Sequence, residues 1–262
     1  MVQGRKRLAY WLLASVMLIT SVASAQEQDE NDPARALALV RAAIKARGGD
    51  AYLKVRMTVT RGQYTGYDKG VSGDPITFVD YIAPNRERVE YGKGDTKIIQ
   101  TNSEGANWIY DARSKQIKDQ TDEQVKEFKQ GAHFDLDNLL RVANAGQGVK
   151  LVYLGRREAW RSTFSEAVRV EFDDGGQATI HFNPRDHLPL SIEYKALTAE
   201  GEAMSETRYN RWVDFGGVLF PTIVDFYRNG KPSGHANFDE VNLNANLADK
   251  LFAKPASIKE VK

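Results

Sequence analysis

Few residues in this chain have side chains suited to chemistry, and their spacing is uninformative for catalysis. There are four histidines, His133, His181, His187 and His235. In the run HFDLD, His133 stands beside Asp135 and Asp137. On a strand these three could ligate a metal. The same pattern also suits a helix start, where aspartates accept bonds from free amides. No partner cluster at ligand spacing accompanies it, which favours capping. His181 alternates with Ile180 and Phe182 and so should face away from them. His187 lies in the turn NPRDHLP, and His235 begins the last strand run. None has a serine or carboxylate at nucleophile–base spacing in the sequence. G-x-S-x-G, a phosphate-binding loop and a strand-borne G-x-G-x-x-G are all absent. YGKGDTK contains G-x-G, but between two strand candidates it reads as a hairpin turn. Acidic residues are abundant but scattered, and no two pair as an acid/base couple. The expectation is a protein that is not an enzyme and needs neither cofactor nor metal.

The N-terminal segment speaks to location. Arg5, Lys6 and Arg7 precede a mostly apolar stretch, Leu8 to Ser21, and Ala23-Ser24-Ala25 is a small-x-small cleavage signal. At about fourteen residues the stretch is short of the roughly 20 needed to span a bilayer. Residues 1–25 are therefore expected to be a signal peptide, 26–31 a loose acidic leader, and 32–262 one domain of a soluble periplasmic protein. The absence of cysteine excludes disulfides and a lipid-modified N-terminal cysteine. Cleavage removes three basic residues, leaving 33 Lys+Arg against 35 Asp+Glu. That balance argues against nucleic acid as a partner. Removing 25 of 262 residues leaves 237, ample for one core.

Periodicity supplies the elements. Asp32-Pro33 opens a helix, with Leu37, Val40, Ile44 and Arg47 at helical spacing, Ala36 and Ala43 beside them, and Gly48-Gly49 as the stop. Val55, Met57 and Val59 then alternate with Lys54, Arg56 and Thr58 as a half-buried strand. Strand candidates follow at 76–82, 86–91, 96–101, 107–110 and 116–119. Thr121 to Gln124 is a capping-box start. Val125, Phe128, Ala132, Leu136, Leu139 and Leu140 follow at spacings of three and four, and Gly131 with the Asp135/Asp137 pair divides them into two short helices. Strands return at 149–154, 167–172, 178–182, 188–194, 205–213, 218–227 and 233–241. Turns fall at Asn183-Pro184, Gly216-Gly217 and Asn229-Gly230. A short segment ending at Phe252 and Pro255 closes the chain. The plan is α+β, mainly antiparallel β, with about 11–13 strands that must close or curl.

Aromatic and aliphatic residues make one-sided sets on these strands. Trp108 and Tyr110 share a face, as do Val170 and Phe172, Ile180 and Phe182, Ile192 and Tyr194, and Val224 and Phe226. An ordinary core explains each set alone. Collectively, beneath an alanine-rich helix that could seal a mouth without filling it, they suggest a hydrophobic cavity. The expected lining is Trp108, Tyr110, Phe172, Phe182, Tyr194 and Phe226. Leu37, Val40 and Ile44 of the first helix and Val125 and Phe128 of the middle one would form its cover. Glycines 48, 49 and 131 suit a cover that opens.

Three stretches carry a family resemblance. ALVRAAIKARGGDAYLKVRMTVTRGQY is similar to the opening helix, Gly-Gly and first strand of the outer-membrane lipoprotein carrier superfamily (LolA/LolB-like), and the chain looks closest to its longer, divergent lipoprotein-sorting members. GANWIYDARSKQIKD resembles the Trp-x-Tyr-Asp strand and hairpin. FNPRDHLPLSIEY, GGVLFPTIVDFYRNG and FDEVNLNANLADKLFAKP resemble the Pro-Leu strand, the Gly-Val-x-Phe-Pro strand and the closing tag. The resemblance implies a half-open curled β-barrel, with an N-terminal helix and a mid-chain helical insertion covering its concave face. It implies a hydrophobic cavity for the acyl chains of a lipid or lipoprotein. Inner- or outer-membrane transport components would be the partners. It also suggests Arg56 and Arg61 as candidates for the carriers' lid-locking arginine. Relatives on this fold include stress sensors and interaction modules, so a non-carrier envelope role is the alternative. A carrier predicts an apolar cavity with polar groups only at its rim. An enzyme predicts titratable groups converging inside.

Overall fold

The computed structural model describes residues 31–160, 163–198 and 201–261; the expected signal peptide and nearly all of the leader lie outside them. Helix α1 spans Pro33–Ala46, and Asp32 caps it by accepting from the Ala34 and Arg35 amides. A single turn, α2 (Asp50–Leu53), follows Gly48-Gly49. The first strands are β1 (Thr58–Asp68), β2 (Val71–Ser72), β3 (Ile76–Ala83), β4 (Arg86–Tyr91), β5 (Ile98–Asn102), β6 (Trp108–Asp111) and β7 (Gln116–Asp119). Two helices interrupt them, α3 (Asp122–His133) and α4 (Leu136–Ala145). Strands β8 (Val149–Ala159), β9 (Thr163–Phe172), β10 (Gln177–Phe182), β11 (Pro189–Thr198), β12 (Gly201–Asp214), β13 (Leu219–Arg228) and β14 (Lys231–Leu243) complete the order.

All fourteen strands form one antiparallel sheet that does not close: β7-β6-β5-β4-β3-β1-β14-β13-β12-β11-β10-β9-β8, with β2 attached to β1. The α+β reading and the half-open curl therefore hold. Two sequential meanders are joined where β1 meets β14, with Thr58 opposite Leu243. The last hairpin turns at Asn229 and Gly230, with φ of 49° and 73°, the two left-handed residues of a type I′ turn. Thr121 makes the expected capping box with Gln124. Gly131 does not break α3; the helix ends at His133, and Asp135 caps α4 by accepting from the Asp137 and Asn138 amides.

Helices α1 and α4 lie over the β8–β12 half of the concave face. Leu39, Val40, Ile44, Leu139 and Leu140 pack on Leu151, Tyr153, Val168, Val170, Ile180 and Phe182, all buried. This half is filled by the protein's own side chains, which corrects the expectation of a vacant barrel under a thin alanine cover. Ala36 and Ala43, fully buried, let the helix approach closely instead. A second core lies on the opposite face. There Trp108, Ile99 and Thr101 are buried, and the C-terminal segment crosses them with Phe252 turned inward.

Candidate functional site

The helical cover is tied down by a polar clamp. Arg47, at the end of α1, has a side chain only 2% exposed and pairs with Asp137 of α4. Its guanidinium also sits 4.2 Å above the Tyr52 ring, while the Tyr52 hydroxyl donates to Asp137 at 3.0 Å. Burial would raise the Asp137 carboxyl, but the charge and hydrogen bond of Arg47, with the Tyr52 hydroxyl, hold it below the usual range. Arg141 of α4 donates to the Tyr52, Leu53 and Val55 carbonyls and fixes α2 to the same assembly. Arg56 and Arg61 are not part of this clamp. Arg61 pairs with Glu240 on an exposed strand surface, and Arg56 is exposed with its amide bonded to Asn244.

On the concave half formed by β1, β3, β4, β13 and β14, Thr58, Thr60, Phe78, Val89 and Val224 are buried, whereas Tyr64, Asp80, Glu87, Tyr91, Phe226 and Phe238 are half-exposed. Cross-strand partners share a face. Thr60 lies opposite Asp80, Phe78 opposite Tyr91, and Ile82 opposite Glu87. Asp80 and Glu87 are therefore diagonal neighbours on one face, about 7–8 Å apart along the sheet and within side-chain reach. Phe78 meets Phe238 edge-on at 5.5 Å, Phe238 meets Phe220 at 5.4 Å, and Tyr64 tilts toward Tyr91 at 6.0 Å. The result is a concave floor of aromatic rings and two carboxyls. Asp135 stands at its helical edge; the α3–α4 junction beside it stacks Phe134 on Tyr194 at 4.6 Å.

The three acids feel one another. Burial pushes Glu87 up to about 7, aided by the charge of Asp135. Asp80 is raised well above the usual carboxylate range by burial, then by Glu87 and Asp135. Asp135 is open to solvent but deep within the concavity. Its carboxyl rises to about 6 through that enclosure and the Asp137 charge, against the two amides it accepts. Titratable groups therefore converge inside the concavity, not only at its rim, and this differs from the apolar cavity expected of a carrier. The sequence carried one signal of it. Asp80 is in phase with Phe78, and Glu87 with Val89 and Tyr91, so both carboxylates occupy positions of the inward-facing set.

The expected lining residues divide. Tyr194 and Phe226 are half-exposed and pack against the edge of the core, as does Phe172, which lies 4.0 Å from the His133 ring and 5.9 Å from Phe134. Phe182 is fully buried core. Trp108 and Tyr110 sit on the other side of the sheet. They pair with Thr101 and Ile99, and Trp108 Nε1 donates to the Phe252 carbonyl at 3.3 Å. Alternation showed that the two share a face but could not say which. In the cover, Val40 and Ile44 are core and Leu37 packs at its margin, whereas Val125 and Phe128 are only half-buried on α3.

Two histidine pairs escape a linear reading. Ser165 Oγ lies 2.8 Å from His181 Nδ1, whose Nε2 is 3.7 Å from Glu193. His235 Nδ1 lies 2.7 Å from Asp225, which also accepts from Asn210. Neighbouring strands bring these partners together, correcting the expectation that no histidine has a serine or carboxylate close by. With Ser165 at 0% and His181 at 5% exposure, the first set is a polar core contact closed to substrate. His133 and Asp135 do not form a metal site, and among the described residues no group of three acids, histidines or cysteines is placed to hold a metal ion. No helix among them is long and apolar enough to cross a membrane.

No family model and no curated protein matches the chain. Solved structures do. A DUF1329 family protein from Desulfovibrio piger superposes with a TM-score of 0.56 at 11% identity, covering 82% of this chain and 96% of the other. A proposed outer membrane lipoprotein-sorting protein domain from Vibrio parahaemolyticus gives 0.53 at 9%, covering 84% and 97%. A LolA superfamily protein from Nitrosomonas europaea gives 0.52 at 14%, again covering 84% and 97%. At these identities the likeness is one of fold, and it joins the sheet order and helical cover in a single conclusion: the chain has a divergent LolA-like fold.

Proposed function

We propose that this protein is a periplasmic carrier or binding protein that holds acyl chains of a lipid or lipoprotein in the open half of its concave face. The observation that carries the reading is the groove itself. Half-exposed Tyr64, Tyr91, Phe226 and Phe238 surround buried Phe78 on the strands beyond the main packing of α1 and α4. Each methylene removed from water contributes about 0.8 kcal/mol. A chain lying in a groove with one side open realises part of that, which suits a cargo that must also leave. Because α1 and α4 fill the other half, the cargo lies along the floor of β1, β3, β4, β13 and β14. Trp108, Tyr110 and Phe182 have no place in its lining.

The test is a fluorescent fatty-alcohol titration of the full chain and two variants. Phe226→Asp, at a half-exposed position, should weaken binding at least tenfold while the circular dichroism spectrum stays native. Phe182→Asp should unfold the protein, since an unpaired charge in the core is costly. Binding of Phe226→Asp at the level of the parent protein would remove this groove as the site, and no binding by the parent protein would remove the carrier role.

A further inference from the structure

Among the described residues, three carboxyls in the groove make no direct ion pair, and only Asp135 feels the charge of Arg47. The other two are Asp80 and Glu87; the adjacent Asp137 does form an ion pair. The nearby cations are engaged elsewhere. Arg47 is paired with Asp137, Arg141 is bonded to backbone carbonyls, and Arg88 is directed at Glu90 and the Leu251 carbonyl on the other face. Arg228 acts on Tyr64 and Tyr194, toward the strand ends.

The floor also holds polar atoms with nothing to bond. Asp80 Oδ1 is shielded from water and without a hydrogen-bond partner. Directly across the strand pair, Thr60 is 1% exposed and its hydroxyl oxygen likewise has none. A desolvated carboxyl and a buried hydroxyl left unpaired each cost free energy, which a ligand donor would recover. The aromatic faces of Tyr64 and Tyr91 border the same place and attract cations. The acids are not gathered tightly enough to hold a metal ion, so the seat suits a larger organic cation.

We infer that the groove selects amphiphiles with a protonated amine headgroup, seated among Thr60, Asp80, Glu87 and Asp135 with the alkyl chain over Phe78, Phe226 and Phe238. The inference rests on the carrier reading and deepens it by naming the headgroup. The ammonium donates charge-assisted bonds to the carboxyls and neutralises their mutual repulsion. A carboxylate or phosphate headgroup would add a further like charge.

The experiment displaces a neutral fluorescent alkyl probe from the full chain with dodecylamine, dodecanol and dodecanoate at about pH 7.5, each below its micelle concentration. Dodecylammonium should bind at least about tenfold more tightly than dodecanoate, with dodecanol between them. In Asp80→Asn/Glu87→Gln the preference should fall below about threefold while the circular dichroism spectrum stays native. Equal or tighter binding of dodecanoate, or a preference that survives in the double variant, overturns the inference and leaves the carrier reading standing. Failure of all three to bind overturns both. If the double variant does not fold, the parent protein at about pH 5 decides. There Glu87, raised to about 7, and Asp135, raised to about 6, take up protons, with Asp80 shifted in the same direction by burial, while Arg47, Tyr64 and Tyr91 keep their charge states and Asp137 is held below the usual carboxylate range. Read as dodecylammonium against dodecanol, because dodecanoate takes up its own proton near this pH, loss of the preference supports the seat and its persistence overturns it.

Discussion

Asp137→Asn should destabilise the protein more than Arg47→Met, although the two residues form one ion pair. The reason is unequal burial. The Arg47 side chain is 2% exposed and that of Asp137 43%. Removing the carboxylate strands a guanidinium in the interior, and breaking a buried pair in this way costs about 3–5 kcal/mol. Removing the guanidinium leaves a carboxylate that water can reach and that still accepts from Tyr52. That loss is one charge-assisted bond, about 2 kcal/mol, because methionine retains the stem over the Tyr52 ring. With both changed, nothing is stranded and the cost should be about 3 kcal/mol, so the cycle predicts a coupling of about 2–4 kcal/mol. At roughly 2–4 °C per kcal/mol, Asp137→Asn should lower Tm by about 6–20 °C. Urea unfolding read by far-ultraviolet circular dichroism gives the energies, and Trp212, 5.3 Å from the guanidinium, gives a local signal. The pH dependence follows from the depressed Asp137 value: its stabilisation is present above about pH 4 and fades as pH falls through the folded-state value. Arg47→Met costing as much as Asp137→Asn, or additivity within about 0.5 kcal/mol, would refute the clamp.

Glu87 behaves in the opposite sense. Its folded value is raised to about 7, so its ionisation penalises the fold increasingly from about pH 4 to pH 7. Glu87→Gln should therefore stabilise by about 1–2 kcal/mol at pH 8 and change little at pH 4; equal melting shifts at both would contradict this. Gly48→Ala should cost about 2–4 kcal/mol. The residue has φ +121°, and a Cβ there would stand 2.2 Å from the Gly217 carbonyl oxygen; a chemical denaturation midpoint unchanged from the parent would show that the α1 end can shift. Hydrogen exchange should be faster in α3 than in α1 or α4, because α3 buries no residue completely while α1 contributes five to the core. Equal protection would mean that the cover is one cooperative unit.

What the sequence made legible follows from range. Caps and turns involve residues within a few positions of each other, and Asp32, Thr121, Asp135 and Asn229-Gly230 do what their local chemistry predicts. Alternation located most strands but not their sides. Val59 is buried, but on the convex side; Thr58 and Thr60 take the concave face, because β1 pairs with β14 from the far end of the chain in that register. Trp108 was placed in the cavity because nothing local reveals that Phe252, 144 positions on, covers it from the other side. Ser165 and His181 are 16 residues apart and adjacent only through strand pairing. The acids of the groove were legible in part. A carboxylate in phase with Phe78 or Tyr91 is conspicuous once the strand is granted, but only the packing of α4 brings Asp135 over it.

These features assign different tasks to the two halves of one curled sheet. Under α1 and α4 the concave face is ordinary core, locked by Arg47 and Asp137. A cover anchored this firmly opens only with loss of the fold, so α1 is a poor candidate for a lid, whatever the glycines after it suggest. The looser element is α3, whose Gln130 side chain bridges to Lys195 and Leu197 at the β11 end. It leads directly into Phe134 and Asp135, the residues that border the open groove. A movement of α3 alone could widen or narrow that border without disturbing the clamp, because Asp135 caps α4 through amides that belong to α4 itself. Rigidity in one half and access in the other are thus compatible. The point where they meet is Asp135, fixed by its cap to the rigid helix while its charge acts on the groove floor.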